Sequence, residues 1–197
     1  IEIKERQLIN KPYEVISYGE NQLTLIKNPD GSHYFGFVNY FNSDFERVVL
    51  QLKERVSNNI IGPIDGNTFY NYRFAINNFD LQFYPDCING PEVLDIFIKS
   101  GFTIKQTYVT TIATVNERMW NLAKLVKLPK GYTVKVVSGS EAYAYLDDIY
   151  EVSIDAFAEA DFYEPITKQD FIDIYMKNIN AVTPDMILIF RDNQLIG

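Results

Sequence analysis

The chain has 197 residues, 47% of them hydrophobic, and a net charge of −8 at pH 7. These values fit a globular protein with a sizeable core and argue against a nucleic-acid-binding surface. The single cysteine, Cys87, excludes an internal disulfide and fits a reducing, cytoplasmic compartment, and with no secretory leader or spanning apolar run no membrane partner is expected.

The first forty residues read as strands: Ile1–Lys4 alternates, and Tyr13–Tyr18 and Gln22–Lys27 flank a Gly19-Glu20-Asn21 turn. Asn28-Pro29-Asp30-Gly31 is a turn by composition. His33–Phe41 is apolar on nearly both faces, which predicts a central strand. Gly36 inside it predicts a bulge or a close approach of another group. Ser43-Asp44-Phe45-Glu46 fits a capping box, and Phe45, Val48, Val49, Leu52 and Val56 form one helical stripe that ends at Asn58-Asn59.

Ile60-Ile61 opens a strand, Gly62-Pro63 and Asp65-Gly66-Asn67 break it, and Phe69–Ile76 resumes extended. Tyr84-Pro85-Asp86 is a loop. Pro91 opens a helix with a Val93, Leu94, Phe97, Ile98 stripe, closed by Gly101. Phe102–Val115, rich in Thr and Ile, is predicted as a long strand. Asn116–Lys130 is predicted as a connecting helix with Met119, Trp120, Ala123 and Val126 on one face, and marks the domain boundary. The pattern then restarts. Tyr132–Val137 is a strand, Glu141–Ala158 a long helix boxed by Ser138 and Glu141, and Thr167–Asp170 boxes a helix to about Asn180. Met186–Phe190 and Leu195–Gly197 form a hairpin around Arg191–Gln194.

Charge follows the same division. Residues 1–131 carry 14 basic and 14 acidic side chains, and residues 132–197 carry 4 basic and 12 acidic ones, so the whole −8 lies in the last third. A solvated helical face explains this simply; a groove that attracts an amine is the sharper reading.

Two stretches resemble one family. Val93–Phe102, VLDIFIKSGF, resembles the helix-to-strand joint of the GNAT N-acetyltransferases, and strand 33–41, helix 44–57 and strand 60–76 follow that family's order. GPIDGNTFYNYRF and the YPD…PEVLDIFIKSGF after it resemble a bacterial subgroup with two GNAT domains in tandem. YEVSIDAFAEADFYEPITKQDF resembles the opening of the second copy. The resemblance implies an α/β (α+β) fold, a mixed, mostly antiparallel sheet flanked by helices on both faces. Residues 1–115 would be a diverged GNAT-like domain, 116–131 a linker helix, and 132–197 the start of a second domain or the complementing half of one permuted domain. Since the family's third strand pairs with a long fourth strand that would lie after Gly197, and the chain opens on Ile1, a fragment of a longer protein is expected. On the permuted reading, Leu195–Gly197 would pair near strand 33–41.

The resemblance also implies a reaction, acyl transfer from acetyl-CoA or another acyl-CoA to a small-molecule amine, and a homodimer as one form of assembly. Such a reaction needs a glycine-rich turn presenting amides to a pyrophosphate, a route for the ammonium proton, and an acid for the leaving thiolate. Tyr40–Glu46 occupies the loop's place, without a glycine and with Asp44 and Glu46 in the first helical turn, where they favour the helix and oppose an anion. Phe97 stands where the family often has the acidic Tyr, and Phe cannot donate a proton. Asn42, Ser43, Tyr70 and Tyr72 are the candidate cofactor contacts. Arg73, Asp161 and Tyr163 are the candidate substrate contacts, since the joint Asp161–Pro165 borders the family's acceptor site and its acid and aromatic residues suit an amine. No catalytic residue and no metal cluster is assigned. His33 reads as a strand-start residue and Cys87 as a small hydrophobe. Two functions are therefore open: an acyl-CoA-dependent N-acyltransferase whose first copy is non-catalytic, this chain itself inactive, or a non-catalytic module that binds a ligand or a protein.

Overall fold

The computed structural model describes residues 11–56, 60–81, 88–111, 113–114, 116–123, 125, 127–177 and 185–197. The expectations for Ile1–Lys4, Tyr84–Asp86, Cys87 and the helix ends at Asn58-Asn59 and Asn180 lie outside these residues. The fold is α+β, with helices and two mostly antiparallel sheets of four and three strands. The chain divides into two compact units. One holds the residues up to Lys105 together with Ala160–Glu164, and the other holds Gln106–Glu159 and Pro165–Gly197.

In the first unit β1 (Tyr13–Tyr18), β2 (Asn21–Lys27) and β3 (His33–Asn39) form an antiparallel meander. Its turns follow the sequence: Gly19 is left-handed at φ 61, Gly31 at φ 84, and Asn28 N–H donates to the Ser32 carbonyl at 2.9 Å. Helix α1 (Phe45–Arg55) then leads to β4 (Ile60–Ile61), which pairs in parallel with β3 through His33↔Ile60 and Tyr34↔Ile61. Helix α2 (Pro91–Lys99) follows, with Pro91 in its first turn and Gly101 left-handed beyond its end.

One core joins these elements. Ile16, Leu23, Leu25 and Phe35 from the strands meet Phe45, Val48, Val49 and Leu52 of α1 and Val93 and Phe97 of α2. Phe45, Val48, Val49 and Leu52 of the stripe are fully buried and Val56 partly so, and each fully buried side chain contributes about 1.5–3 kcal/mol by leaving water. Phe97 is the hub. Its ring stacks on Phe35 at 4.6 Å and touches Phe102, Phe74 and Phe45 at 5.2, 5.4 and 5.9 Å.

Three expectations are corrected here. The Ser43–Glu46 capping box does not form; the N-cap is Asp44, without a side-chain cap bond. Phe69–Ile76 is not a strand. Asn67 to Tyr70 turns, and only an isolated antiparallel bridge joins Tyr72 to Ile64. The described part of Phe102–Val115 has no regular structure, and Thr103–Thr111 are exposed. Thr and Ile favour a strand only where an edge accepts them, and β4 offers two residues of ladder.

The second unit begins with α3 (Glu117–Ala123), shorter than the predicted connecting helix, whose start is capped by Asn116 Oδ1 accepting from Met119 N at 3.0 Å. β5 (Tyr132–Ser138) and β6 (Asp185–Arg191) pair over seven residues, and β7 (Gln194–Leu195) returns along β6. Asp192 and Asn193 are both left-handed (φ 50 and 68), the two-residue turn that matches strand twist. The return arm pairs with β6, Ile196 N donating to the Ile189 carbonyl at 2.9 Å. Among the described residues β7 pairs with β6 alone.

The Ser138–Glu141 capping box is present and opens α4 (Gly139–Ala142). The predicted long helix is broken: a 3₁₀ turn at Tyr143–Tyr145 separates α4 from α5 (Leu146–Phe157). Thr167 caps α6 (Lys168–Phe171), which widens into a π-turn over Ile172–Met176. One sheet face buries Val137, Leu188 and Leu195. On the other, Val134, Val136, Ile187 and Ile189 are exposed by 45, 61, 63 and 36%.

Candidate functional site

The site lies in the first unit where β3 and β4 part. Register slips between Gln22↔Asn39 and Thr24↔Gly36, so β3 carries a bulge there. Its left-handed residue is Phe37 at φ 48, a conformation that is costly for a bulky side chain. Two bonds from the segment after β4 hold it. Ile64 N donates to the Phe35 carbonyl at 2.8 Å, and Phe37 N–H donates to the Asp65 carboxylate. The carboxylate thus stands where the next strand's carbonyl would be.

Gly36 is what permits this approach. A Cβ there would sit 2.2 Å from the Ile64 carbonyl oxygen and 2.8 Å from an Asp65 carboxylate oxygen. The sequence reading of Gly36 as a bulge or close approach holds on both counts. A Gly36→Ala variant is expected to lose about 1–3 kcal/mol or more, because backbone must move on both sides. Urea denaturation measures this, and unchanged stability would contradict the contact.

Residues 62–73 close on themselves. Asp65 N donates to the Asn71 carbonyl at 2.8 Å, Arg73 N to the Pro63 carbonyl at 2.9 Å, and Phe69 N to Asn67 Oδ1 at 2.9 Å. Asp65 is part-buried as a residue, but its carboxyl turns inward. Burial pushes its pKa up from 3.8 to about 6, although the Phe37 amide and the Asn71 side chain both donate to it and pull the other way.

Beside this loop lies a cluster around Lys11. Its ammonium donates to the Glu164 carboxylate and, at 3.1 Å, to the Gly66 carbonyl, and it stands 5.2 Å from the centre of the Tyr34 ring. Phe162 meets Tyr34 edge-on at 5.8 Å, Lys105 lies over Phe162 at 5.1 Å, and Phe69 faces Tyr163 at 6.0 Å. Burial, and then the Glu164 and Asp30 charges, push the Tyr34 phenol up.

The predicted residues fall into two places. Tyr70, Tyr72 and Arg73 lie in the closed loop rather than on one strand face. Arg73 is left-handed at φ 87, with its guanidinium 5.0 Å from the Tyr72 ring centre. Asp161 is exposed, and Tyr163 is tied to the same loop through Phe69. Asn42 and Ser43 are elsewhere, at the turn from β3 into α1. There Asn21 Oδ1 accepts from Phe41 N (2.8 Å) and Asn42 N (3.1 Å), and Asn21 Nδ2 donates to Asn42 Oδ1 (2.9 Å). Asn42 Oδ1 also accepts from Asp44 N at 3.0 Å, which displaces Ser43 from the expected cap. The amides of Phe45, Glu46 and Arg47 donate to the carbonyls of Asn42, Ser43 and Asp44.

A pyrophosphate does not fit this turn. Six amides from Phe41 to Arg47 already donate within the chain, and Asp44 and Glu46 place negative charge there. CoA has no built phosphate cradle at this turn. Asp65, Lys11 and Tyr34 carry no functional signal of their own in the sequence, and Glu164 is marked only as an acid of the joint Asp161–Pro165. Gly36 is a second local signal, since a close approach needs something to approach. Lys11 and Glu164 pair across 153 positions, which no local pattern records.

Among the described residues no group of three or more His, Cys, Asp or Glu is placed to hold a metal, and no helix is long and apolar enough to cross a membrane. Comparison with protein-family models, curated proteins and solved structures gives no match to this chain.

Proposed function

We propose that the chain belongs to an acyl-CoA-dependent N-acyltransferase of the GNAT kind, acting in the cytoplasm on a small-molecule amine, in which the first unit is a non-catalytic copy. Support for the family comes from the order β3–α1–β4–α2, with β3 and β4 parallel and parting at a bulge after two residue pairs. The observation that carries the non-catalytic assignment is the β3–α1 turn, where the amides of Phe41, Asn42 and Asp44 donate to the Asn21 and Asn42 side chains and those of Phe45, Glu46 and Arg47 to backbone carbonyls. Phe97 adds to it, being a packing residue at the centre of an aromatic core.

Calorimetric titration of CoA into the chain is expected to give no saturable heat. Acetyl-CoA incubated with a panel of amines is expected to release no free thiol above background. Saturable micromolar binding that Asn42→Ala weakens would overturn the non-catalytic assignment. A second reading, a ligand-binding module without chemistry, is favoured by the cluster around Lys11.

A further inference from the structure

We infer that the Tyr34 ring, the Gly66 carbonyl and the Glu164 carboxylate form a recognition site for a primary alkylammonium ion, and that the chain's own Lys11 fills it as a tethered plug.

Three kinds of group converge on the Lys11 nitrogen. A carboxylate neutralises it, a carbonyl at 3.1 Å accepts a second N–H, and an aromatic face lies at 5.2 Å. Each is complementary to an ammonium, and together they recognise charge, hydrogen bonding and shape. They come from separate places in the chain: β3, the closed loop after β4, and the Ala160–Glu164 segment. Lysine is rarely buried, yet only 7% of the Lys11 side chain is exposed, against 38% of Glu164. Glu164 therefore opens toward solvent while the ammonium it holds does not.

The plug lies just before β1, where Lys27 N donates to the Pro12 carbonyl at 2.9 Å. Its withdrawal breaks no core contact of β1, whose buried residue is Ile16. What it would vacate is the place of its own side chain, an unbranched alkyl chain ending in an ammonium. A free amine must compete with an intramolecular one, so the native chain binds such ligands weakly. This inference concerns binding alone and stands without acyl transfer.

The test is chemical rescue. Lys11→Ala is expected to lower the melting temperature, and n-butylammonium chloride is expected to raise it again, saturably, by at least half of the loss. Wild type, whose own Lys11 competes for the site, should gain far less than the variant, n-butanol should not substitute, and the Lys11→Ala/Glu164→Gln double variant should not be rescued. Equal responses in wild type and variant, or no rescue, would overturn the proposal. Should Lys11→Ala fail to fold, the wild-type chain answers by NMR. The Lys11 ε-CH₂ signal, shifted by the Tyr34 ring current, should move toward the free-lysine position as n-butylammonium is added. A signal that stays in place throughout the titration would overturn the proposal.

Discussion

A Phe97→Ala variant is expected to lose about 3–5 kcal/mol of stability, the range for removing a large aromatic from a core that cannot collapse around the gap. Collapse is blocked because Phe97's neighbours come from different elements. Phe35 is on β3, Phe45 on α1, and Phe74 and Phe102 in the segments flanking α2. Denaturant unfolding followed by far-ultraviolet circular dichroism measures the loss. Phe97→Tyr makes a sharper comparison, because its ring volume is nearly unchanged. The added hydroxyl would enter an aromatic cluster where Phe97 is 2% exposed, and an unsatisfied buried hydroxyl costs about 1–3 kcal/mol. A Tyr that stabilised the chain would place a polar partner or a solvent route beside position 97, and the packing account of Phe97 would fail.

The second large effect is a pH dependence opposite to that of ordinary carboxylates. Asp65 has its pKa raised by burial to about 6. Between pH 3.8 and about 6 the folded chain holds a proton at Asp65 that the unfolded chain has released. Asp65 therefore favours the fold most below pH 3.8, and this contribution is lost as pH rises through about 6, after which it stays flat. The full span is about 3 kcal/mol. Asp65→Asn keeps an oxygen for the Phe37 amide and never ionises. Its stability should match wild type near pH 4 and exceed it above pH 7 by up to that amount. The difference between the two chains isolates Asp65 from every other titrating group. Parallel pH–stability curves for the two from pH 4 to 8 would refute the account.

These two sites differ in how far the sequence announces them. Phe97 is legible because a helical stripe with Pro91 before it and Gly101 after it leaves little choice of buried face. The meander β1–β3 and the closing hairpin are legible for similar reasons, since alternation and turn chemistry agree locally. Where local preference needed a distant partner, reading failed. Thr103–Thr111 has strand composition and no ladder. Phe69–Ile76 has aromatic alternation, but Gly66, Asn67 and the Asn71–Asp65 pairing fold it into a loop. Asp65 looks like turn composition between Ile64 and Gly66, and nothing nearby says that its carboxyl serves a bulge on β3. The turn at Asn42 shows a subtler failure. Ser43 and Glu46 have the right spacing for a capping box, and Asn21, on another strand, commits the turn to a different network.

The chain enters the first unit twice, once up to Lys105 and again for Ala160–Glu164. The first unit therefore cannot be released by a single cut of the chain. A cut after residue 105 would discard Glu164 and leave the Lys11 ammonium facing Tyr34 without its counter-ion, and orphaning a buried charge costs about 3–5 kcal/mol. Dissection of this protein into halves would give a first half that reports on its own mutilation, and a disulfide or peptide splice returning residues 160–164 is needed before such a half can be compared with the whole.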